Sequence, residues 1–155
     1  LLAWGSEHPW LFALLPLWML LRMALNAVDG MLAREFGQQS RLGAYLNELC
    51  DLIADAALYL PFALLAGVSP TLVVLLVFAA LVSEYAGVMG PLAGASRRYD
   101  GPMGKSDRAF VFGALGLAVA FAVPAAWVNG VLLVALLLSL YTLYNRVRRG
   151  LDETR

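Results

Sequence analysis

The feature of this sequence that most constrains its fold is a series of five long apolar runs. They cover roughly residues 10–33, 42–66, 71–93, 109–126 and 131–144. The chain is 61% hydrophobic and 14% charged, whereas soluble domains are about 45–50% apolar and about 25% charged. Runs of this length cross a bilayer as helices, because a spanning segment must satisfy its own backbone hydrogen bonds. The sequence therefore predicts an all-α, polytopic transmembrane helical bundle with five helices in this chain.

The start of the chain suggests that a piece precedes it. The first residue is Leu1 rather than Met, and the segment before the first apolar run is too short to span a membrane. We expect residues 1–155 to form a single transmembrane domain whose N-terminal helix is missing from this sequence.

Basic residues gather in the connections at one end of the predicted bundle. The opposite connections, residues 67–70 and 127–130, contain no Lys or Arg. The positive-inside rule therefore places the basic end in the cytoplasm, and Arg22, within the first run, is the exception. The formal net charge is +0, and nothing suggests a nucleic-acid partner. The basic residues that follow the rule are Arg34, Arg41, Arg97, Arg98, Lys105, Arg108, Arg146, Arg148, Arg149 and Arg155.

Polar side chains interrupt the first two runs at helical spacing. Asn26 and Asp29 share one face near the end of the first helix, and Asn47, Asp51 and Asp55 follow one face of the second. A short turn between these helices would make them antiparallel and bring the two faces together. Ionisable residues inside a membrane are costly and mostly functional. Carboxylate and amide oxygens at a wet boundary suit a hard cation such as Mg²⁺ that bridges a diphosphate.

This spacing resembles the signature of the CDP-alcohol phosphatidyltransferase family, Asp-x2-Asp-Gly-x2-Ala-Arg-x8-Gly-x3-Asp-x3-Asp. The resemblance implies six helices in the complete protein and a location in the bacterial inner membrane, with several membrane passes and an active site that faces the cytoplasm. Members of this family displace CMP from a CDP-linked lipid donor with an alcohol acceptor, using Mg²⁺ or Mn²⁺. The residues of this chain that match the signature are Asp29, Gly30, Ala33, Arg34, Gly43 and Asp51.

The resemblance also implies a role for each matching position. Asp51 would be the catalytic base that takes the proton of the acceptor hydroxyl, as well as a metal ligand. The metal site would consist of Asn26, Asp29, Asn47 and Asp51, with Asp55 one turn deeper. The cytidine and diphosphate of the donor would contact Gly30, Ala33, Arg34 and Gly43, with Arg34 at the diphosphate.

Two positions depart from the signature, because Asn26 and Asn47 stand where the family has Asp. An amide oxygen can bind Mg²⁺ but brings no charge. Either the metal site is weakened, or it has been rebuilt around Arg22 and Asp55. The rebuilt site is the interpretation that we favour, since each of these residues lies one turn from the stripe of polar side chains. Asp55 is then either a metal ligand or a counter-ion to Arg22.

Three further groups of charged residues have alternative roles. Glu84 is expected to form a structural ion pair with Arg22 or to face the cavity. Glu48 is expected to point away from the polar face of the second helix that carries Asn47, Asp51 and Asp55. The basic loop before the fourth helix is either ordinary positive-inside charge or a site for the phosphate of the acceptor at the helix N-terminus. In the second case the acceptor resembles glycerol 3-phosphate or inositol phosphate. The acceptor-phosphate residues would be Arg97, Arg98, Lys105 and Arg108, while Arg146, Arg148 and Arg149 would anchor the chain at lipid headgroups.

Three functions compete at this point. The first is a CDP-alcohol phosphatidyltransferase of phospholipid biosynthesis, with a CDP-linked lipid and a small alcohol, phosphorylated or not, as substrates. The second is a catalytically impaired member that binds nucleotide or lipid without efficient transfer. The third is an ion or proton transporter, suggested by intramembrane Arg22, Asp55 and Glu84 alone. Family members are often homodimers, and a homodimer among the membrane lipids fits this chain as well.

Overall fold

The computed structural model of this protein describes residues 7–37 and 40–155, except for the side chains of residues 33 and 34. Within these residues every regular element is a helix, so the predicted all-α membrane bundle with five helices is confirmed. Short 3₁₀ segments precede the first helix and follow the second and third helices. The five helices are α1 (Leu14–Glu35), α2 (Arg41–Tyr59), α3 (Pro70–Met89), α4 (Lys105–Ala120) and α5 (Ala125–Glu153).

Three helical stretches are long and apolar enough to cross a membrane: Pro9–Leu32, Pro70–Ala93 and Ala125–Glu153. Helix α2 falls outside this group because it carries four charged residues, and helix α4 because it has 16 residues. At about 1.5 Å per residue α4 is about 24 Å long, which is less than the roughly 30 Å of hydrocarbon in a bilayer. The five predicted helices are therefore present, and three of them have both the length and the composition of a membrane span.

The last two helices extend beyond their apolar runs. The fourth apolar run begins at residue 109, but helix α4 begins at Lys105, where the Asp107 carboxylate accepts the Gly104 N–H at 2.9 Å, as expected if residues 104–108 open this helix. It ends before a turn in which Ala122 has a positive φ of 56°. Helix α5 continues well past the predicted end at residue 144, to Glu153. Hydropathy alone misses these parts because the helices continue with charged residues beyond the apolar segment.

The helices pack in two main pairs. Helix α3 makes its most extensive contacts with α5, and α1 with α4. An aromatic cluster connects the second pair to the end of α2. The Tyr59 and Phe112 rings stack with centroids 3.8 Å apart, while Phe62 meets Phe12 edge-on at 4.9 Å and Phe112 at 5.3 Å. Aromatic contacts of this kind add to the free energy gained by burying the rings.

The loop between α3 and α4, residues 94–104, lies directly against α3. The Arg98 N–H donates to the Gly87 carbonyl at 3.1 Å. A Cβ atom added at Gly87 would come within 2.5 Å of the Arg98 carbonyl oxygen, and one at Gly90 within 2.4 Å of the Ser96 oxygen. Such distances leave room only for glycine. These glycines therefore position the loop beside the polar side chains of α2.

Candidate functional site

A polar cavity of about 580 Å³ opens at the end of the bundle where the loop of residues 94–104 lies. Helices α1, α2, α3 and α5, the start of α4 and the loop all contribute to its walls. Five of the predicted site residues line this cavity: Asn26, Asn47, Asp51, Arg97 and Lys105. Other lining residues, not predicted as site residues, include Glu48, Glu84, Tyr99 and Arg146.

The Asp51 carboxylate has both of its oxygens occupied by donors. Oδ2 pairs with the ammonium of Lys105. Oδ1 accepts from Arg22 Nη2 at 3.1 Å and from Asn26 Nδ2 at 3.1 Å. Arg22 also donates to the Asp51 carbonyl at 2.9 Å. Three elements, α1, α2 and α4, thus meet at this carboxylate, which itself is partly exposed to the cavity.

Asp55 lies one turn deeper and is buried. Its Oδ1 pairs with Arg22 Nη1, and its Oδ2 lies 3.4 Å from Arg108 Nη2. Of the two roles left open for Asp55, this geometry is that of a counter-ion to Arg22. Arg108, predicted to hold the phosphate of the acceptor, has a side chain only 1% exposed and donates to the Met103 carbonyl at 3.0 Å. It is therefore closed off from a ligand in the cavity.

Glu84 on α3 joins two arginines at the back of the cavity. Its Oε1 accepts from Arg108 Nη2 at 2.8 Å, and its Oε2 lies 3.3 Å from Arg146 Nη1. The expectation that Glu84 faces the cavity agrees with the structure, whereas the alternative pairing with Arg22 is replaced by these two partners. Arg146 is buried and also donates to the Ser83 carbonyl at 2.6 Å. Its prediction as a headgroup anchor was wrong.

The burial of Arg146 has a signal in the sequence that hydropathy does not show. Small or polar residues recur at spacings of three and four along α5, a helix otherwise rich in Leu. Residues at such spacing share one face of a helix. The four residues of this face are all buried: Ser139, Thr142, Arg146 and Gly150. This face packs toward α3 and the loop, since Met103 N–H donates to Thr142 Oγ1 at 3.0 Å.

Arg97 reaches from the loop to α2 and makes a two-pronged contact with Glu48. The distances are 2.5 Å from Nη1 to Oε1 and 2.8 Å from Nη2 to Oε2. The hydrogen bonds that Arg97 donates to the Glu48 carboxylate raise the pKa of Arg97 above its ordinary value, so the guanidinium stays charged. The prediction that Glu48 points away from the site was wrong. Glu48 and Asp51 are three residues apart and share a face of α2.

Other predicted residues lie outside the cavity walls. Asp29 is exposed and follows Asn26 by about 4.5 Å along α1. Gly30 and Gly43 are exposed too, and the Gly43 N–H donates to Ser40 Oγ at 2.9 Å at the start of α2. A Cβ at Gly30 would meet nothing within 4 Å, so the backbone there has open space in front of it. The side chains of Ala33 and Arg34 lie outside the described residues.

Arg98, the remaining residue predicted for the acceptor phosphate, belongs to a second cluster that ties the loop to the end of α5. It pairs with Asp100 at 2.7 Å and with Glu153. Asp100 also accepts from Arg149 Nη1 at 2.6 Å. Partial burial alone would raise the pKa of Asp100, but hydrogen bonds from Arg149 and Arg98 lower it below its ordinary value. We call Arg98, Asp100, Arg149 and Glu153 the loop clamp.

The direction of this pKa shift predicts that the loop clamp opens in acid. A carboxylate with a depressed pKa in the folded state stabilises the fold above its unfolded pKa, and this contribution is lost as the pH falls through the folded pKa. We expect hydrogen exchange in residues 94–104 to accelerate below about pH 4, after correction for the intrinsic rate. The Asp100→Asn variant should show the faster exchange already at neutral pH. Equal protection of the loop in both proteins at neutral pH would contradict this role.

The described residues contain no group of three or more His, Cys, Asp or Glu side chains arranged to hold a metal ion. In the cavity, Glu48, Asp51 and Glu84 instead each form an ion pair with a cationic side chain. The arrangement offers a carboxylate that could accept a proton, with cationic side chains beside it that could meet an anion.

Comparison with known proteins identifies the family of this chain. The sequence profile of CDP-alcohol phosphatidyltransferases matches residues 1–143. The chain is 49% identical over 144 residues to the inner membrane protein YnbA of Escherichia coli, a match that covers 92% of this chain and 72% of that protein. It is 35% identical over 88 residues to the archaetidylinositol phosphate synthase of Aeropyrum pernix, covering 57% of this chain and 45% of that protein. No solved structure matches significantly. The chain therefore belongs to the CDP-alcohol phosphatidyltransferase family.

Proposed function

We propose that this chain is a membrane transferase that moves a phosphatidyl or phospho-alcohol group from a CDP-activated lipid, such as CDP-diacylglycerol, to an alcohol acceptor and releases CMP. Membership of the family supports this class of reaction. The observation that carries the proposal is the Asp51 carboxylate on the wall of a polar cavity, with Arg97 and Lys105 facing the same space. A base and cationic side chains at one cavity suit the attack of a hydroxyl on a phosphodiester.

In the proposed step the acceptor oxygen forms a bond to the phosphorus that carries the lipid. Its proton passes to the Asp51 carboxylate. The bond from that phosphorus to the CMP oxygen breaks, and CMP leaves with the electron pair of that bond. The phosphoryl oxygens carry more negative charge as the bonds rearrange, and fixed cations stabilise that charge. Lys105 lines the cavity beside Asp51 and is the side chain in a position to do so.

Members of this family use a divalent metal, and Mg²⁺ or Mn²⁺ would be expected at Asn26, Asp29, Asn47 and Asp51. As folded, these residues do not fit such an ion. Asp29 lies outside the cavity walls, Asn26 presents its amide nitrogen to Asp51, and both Asp51 oxygens face donors. Mg²⁺ prefers one or two free carboxylates in octahedral geometry. No step proposed for this chain is therefore assigned to a metal.

The acceptor proposed here carries a phosphate, like glycerol 3-phosphate or inositol phosphate. Arg97 and Lys105 are the two of the four predicted residues that line the cavity, while Arg98 and Arg108 are engaged elsewhere. Arg97 is the better candidate for the acceptor, since a guanidinium can bind a phosphate with two parallel hydrogen bonds, as it now binds Glu48. The name of the archaeal relative, archaetidylinositol phosphate synthase, supports a phosphorylated acceptor.

A second candidate function is a catalytically impaired relative that binds a nucleotide or lipid. It is favoured by the two Asn residues at signature positions and by the full engagement of Asp51 with Arg22, Asn26 and Lys105. The transporter hypothesis loses its motivation because Arg22, Asp55 and Glu84 all take part in one continuous set of ion pairs with Arg108.

The setting of the proposed reaction is the bacterial inner membrane. The chain forms a membrane bundle, and its relative in Escherichia coli is an inner membrane protein. Because the cavity lies among the basic connections, the positive-inside rule supports a cytoplasmic opening. Residues 1–155 are proposed to act as one transmembrane domain, and the homodimer suggested by the family remains a prediction.

The proposed function is tested by incubating the purified chain in lipid nanodiscs with CDP-diacylglycerol and a panel of acceptors. The panel contains glycerol, serine, inositol, glycerol 3-phosphate and inositol phosphate, each with EDTA, Mg²⁺ or Mn²⁺. Acceptor-dependent release of CMP with formation of the matching lipid is the expected result. Binding of CDP without release of CMP for any acceptor or metal would favour the impaired relative instead.

The Arg97→Met variant tests the role of Arg97 at the acceptor. Loss of a charge-assisted hydrogen bond costs about 1.5–3 kcal/mol, so we expect the KM for a phosphorylated acceptor to rise by roughly tenfold or more. The KM for the CDP-linked donor should change little. Arg148→Met, at an exposed arginine of α5, serves as the matched control. An equal rise in both KM values would place Arg97 at the donor or in the fold rather than at the acceptor.

A further inference from the structure

The misfit between this cavity and a divalent metal points to a different way of holding an anion. Two positively charged groups, the ammonium of Lys105 and the guanidinium of Arg22, pair with the two oxygens of one carboxylate, Asp51. Together they carry the charge of one divalent cation. The two positions where the family signature has further carboxylates hold neutral Asn26 and Asn47. Because Arg22 also pairs with Asp55, these two cations and two carboxylates carry no net charge, and Asp51 has no excess negative charge with which to hold a divalent cation.

The pairing of Asp51 with two cations disfavours a metal ion there and leaves an ammonium beside the cavity that can meet an anion. A divalent cation at Asp51 would have to displace Lys105 and approach Arg22, and like charges at such distances repel strongly in a poorly solvated site. A diphosphate meets the opposite situation, because its oxygens can accept the hydrogen bonds that Lys105 now gives to Asp51. Lys105 is a compact cation on a flexible stem with three donors, and its side chain remains 30% exposed.

The two cations are held in place by different means. Arg22 is fixed by Asp55, by the Asp51 side chain and by the Asp51 carbonyl, and its side chain is only 12% exposed. It therefore acts as a fixed positive charge below the cavity wall. Lys105 stands at the first position of α4, where the Asp107 carboxylate binds the preceding N–H. Its backbone is thus anchored, while its ammonium can turn between Asp51 and a ligand.

We propose that Lys105, backed by the fixed charge of Arg22, binds the diphosphate of the CDP-linked donor directly, so that the site needs no resident divalent metal to hold it. This inference rests on the proposed function for the identity of the donor. When Lys105 turns to the diphosphate, the Asp51 oxygen that it leaves becomes free to accept the proton of the acceptor.

Binding of CDP by the purified full chain in nanodiscs tests the inference without requiring turnover. With excess EDTA in place of Mg²⁺, the Kd for CDP should change by less than about threefold. Lys105→Met should raise the Kd measured in EDTA by roughly tenfold or more, the loss expected for a charge-assisted hydrogen bond. Arg148→Met, on the exposed side of α5, should leave the Kd unchanged. Circular dichroism and size-exclusion chromatography report whether each variant is folded.

Mn²⁺ binding followed by electron paramagnetic resonance gives a second, independent measurement. The native chain and the Asn26→Asp/Asn47→Asp variant should show no stoichiometric Mn²⁺ site, because Lys105 still occupies Asp51 in both. The triple variant that adds Lys105→Met should gain Mn²⁺ affinity and bind CDP only when metal is present. Its three neighbouring carboxylates would then lack the ammonium and would attract a divalent ion.

Three results would overturn the inference: loss of CDP binding in EDTA by the native chain, a stoichiometric Mn²⁺ site in the native chain, or no binding of CDP under either condition. These failures are distinct from failure of the proposed function. Metal-independent CDP binding without CMP release would support the anion site and contradict the transferase. CMP release together with CDP binding that strictly requires Mg²⁺ would support the transferase and contradict the anion site.

Discussion

Replacing Asp51 with Asn is expected to abolish lipid transfer while leaving the fold intact. The change removes the proposed proton acceptor, and general base catalysis contributes about 10²–10⁴-fold to a rate. We expect CMP release to fall by about that factor. The amide has nearly the volume of the carboxylate and can still accept from Arg22, which also keeps its partner Asp55. Folding should therefore persist, and this is checked by size-exclusion chromatography and thermal denaturation in detergent.

The matched control for this variant is Asp152→Asn. Asp152 lies in the last turn of α5 with a side chain 50% exposed, and it pairs with Arg148 and Arg155 at the same end of the chain, away from the cavity. This control should retain native turnover. If Asp51→Asn also retains native turnover, the base lies elsewhere. Asp55 would then be the first candidate to examine, although Arg22 and Arg108 occupy its oxygens.

The existence of five helices could be predicted because long apolar runs have few other structures available in a membrane. Their bounds could not be predicted equally well. Helix α4 starts with a charged turn from Lys105 to Arg108, and α5 continues from Arg146 to Glu153. Hydropathy records where the chain prefers hydrocarbon, whereas backbone hydrogen bonding and capping decide where a helix ends.

The site was predictable to the extent that it follows from spacing within one helix. Asn47 and Asp51 share a face of α2, and both line the cavity with Asn26. Which carboxylate meets which cation depends on how separate helices pack. The pairing of Glu84 on α3 with Arg108 on α4 and Arg146 on α5 could not be read from spacing. The same is true of Arg97, which reaches Glu48 because α3 glycines hold the loop close.

The largest effect on stability is expected when Glu84, the carboxylate of helix α3, is replaced. Glu84 balances Arg108, whose side chain is 1% exposed, and Arg146, whose side chain is 2% exposed. Glu84→Leu would leave two guanidinium groups inside the bundle with too few acceptors. Removing one partner of a buried ion pair typically costs about 3–5 kcal/mol. We expect a loss of this size in the free energy of unfolding, measured by denaturant titration in mixed micelles.

Glu35→Gln, at the exposed end of α1, is the control that removes a carboxylate without burying a charge, and its effect should stay within about 0.5 kcal/mol. Adding Arg108→Met to Glu84→Leu then separates charge from packing. If the cost of Glu84→Leu comes from a stranded guanidinium, the double variant recovers part of the lost stability, because Asp55 keeps Arg22 as its partner. If the cost comes from lost packing, the two losses add instead. Additive losses would mean that the buried ion pairs are not what connects α3 to α4 in this bundle.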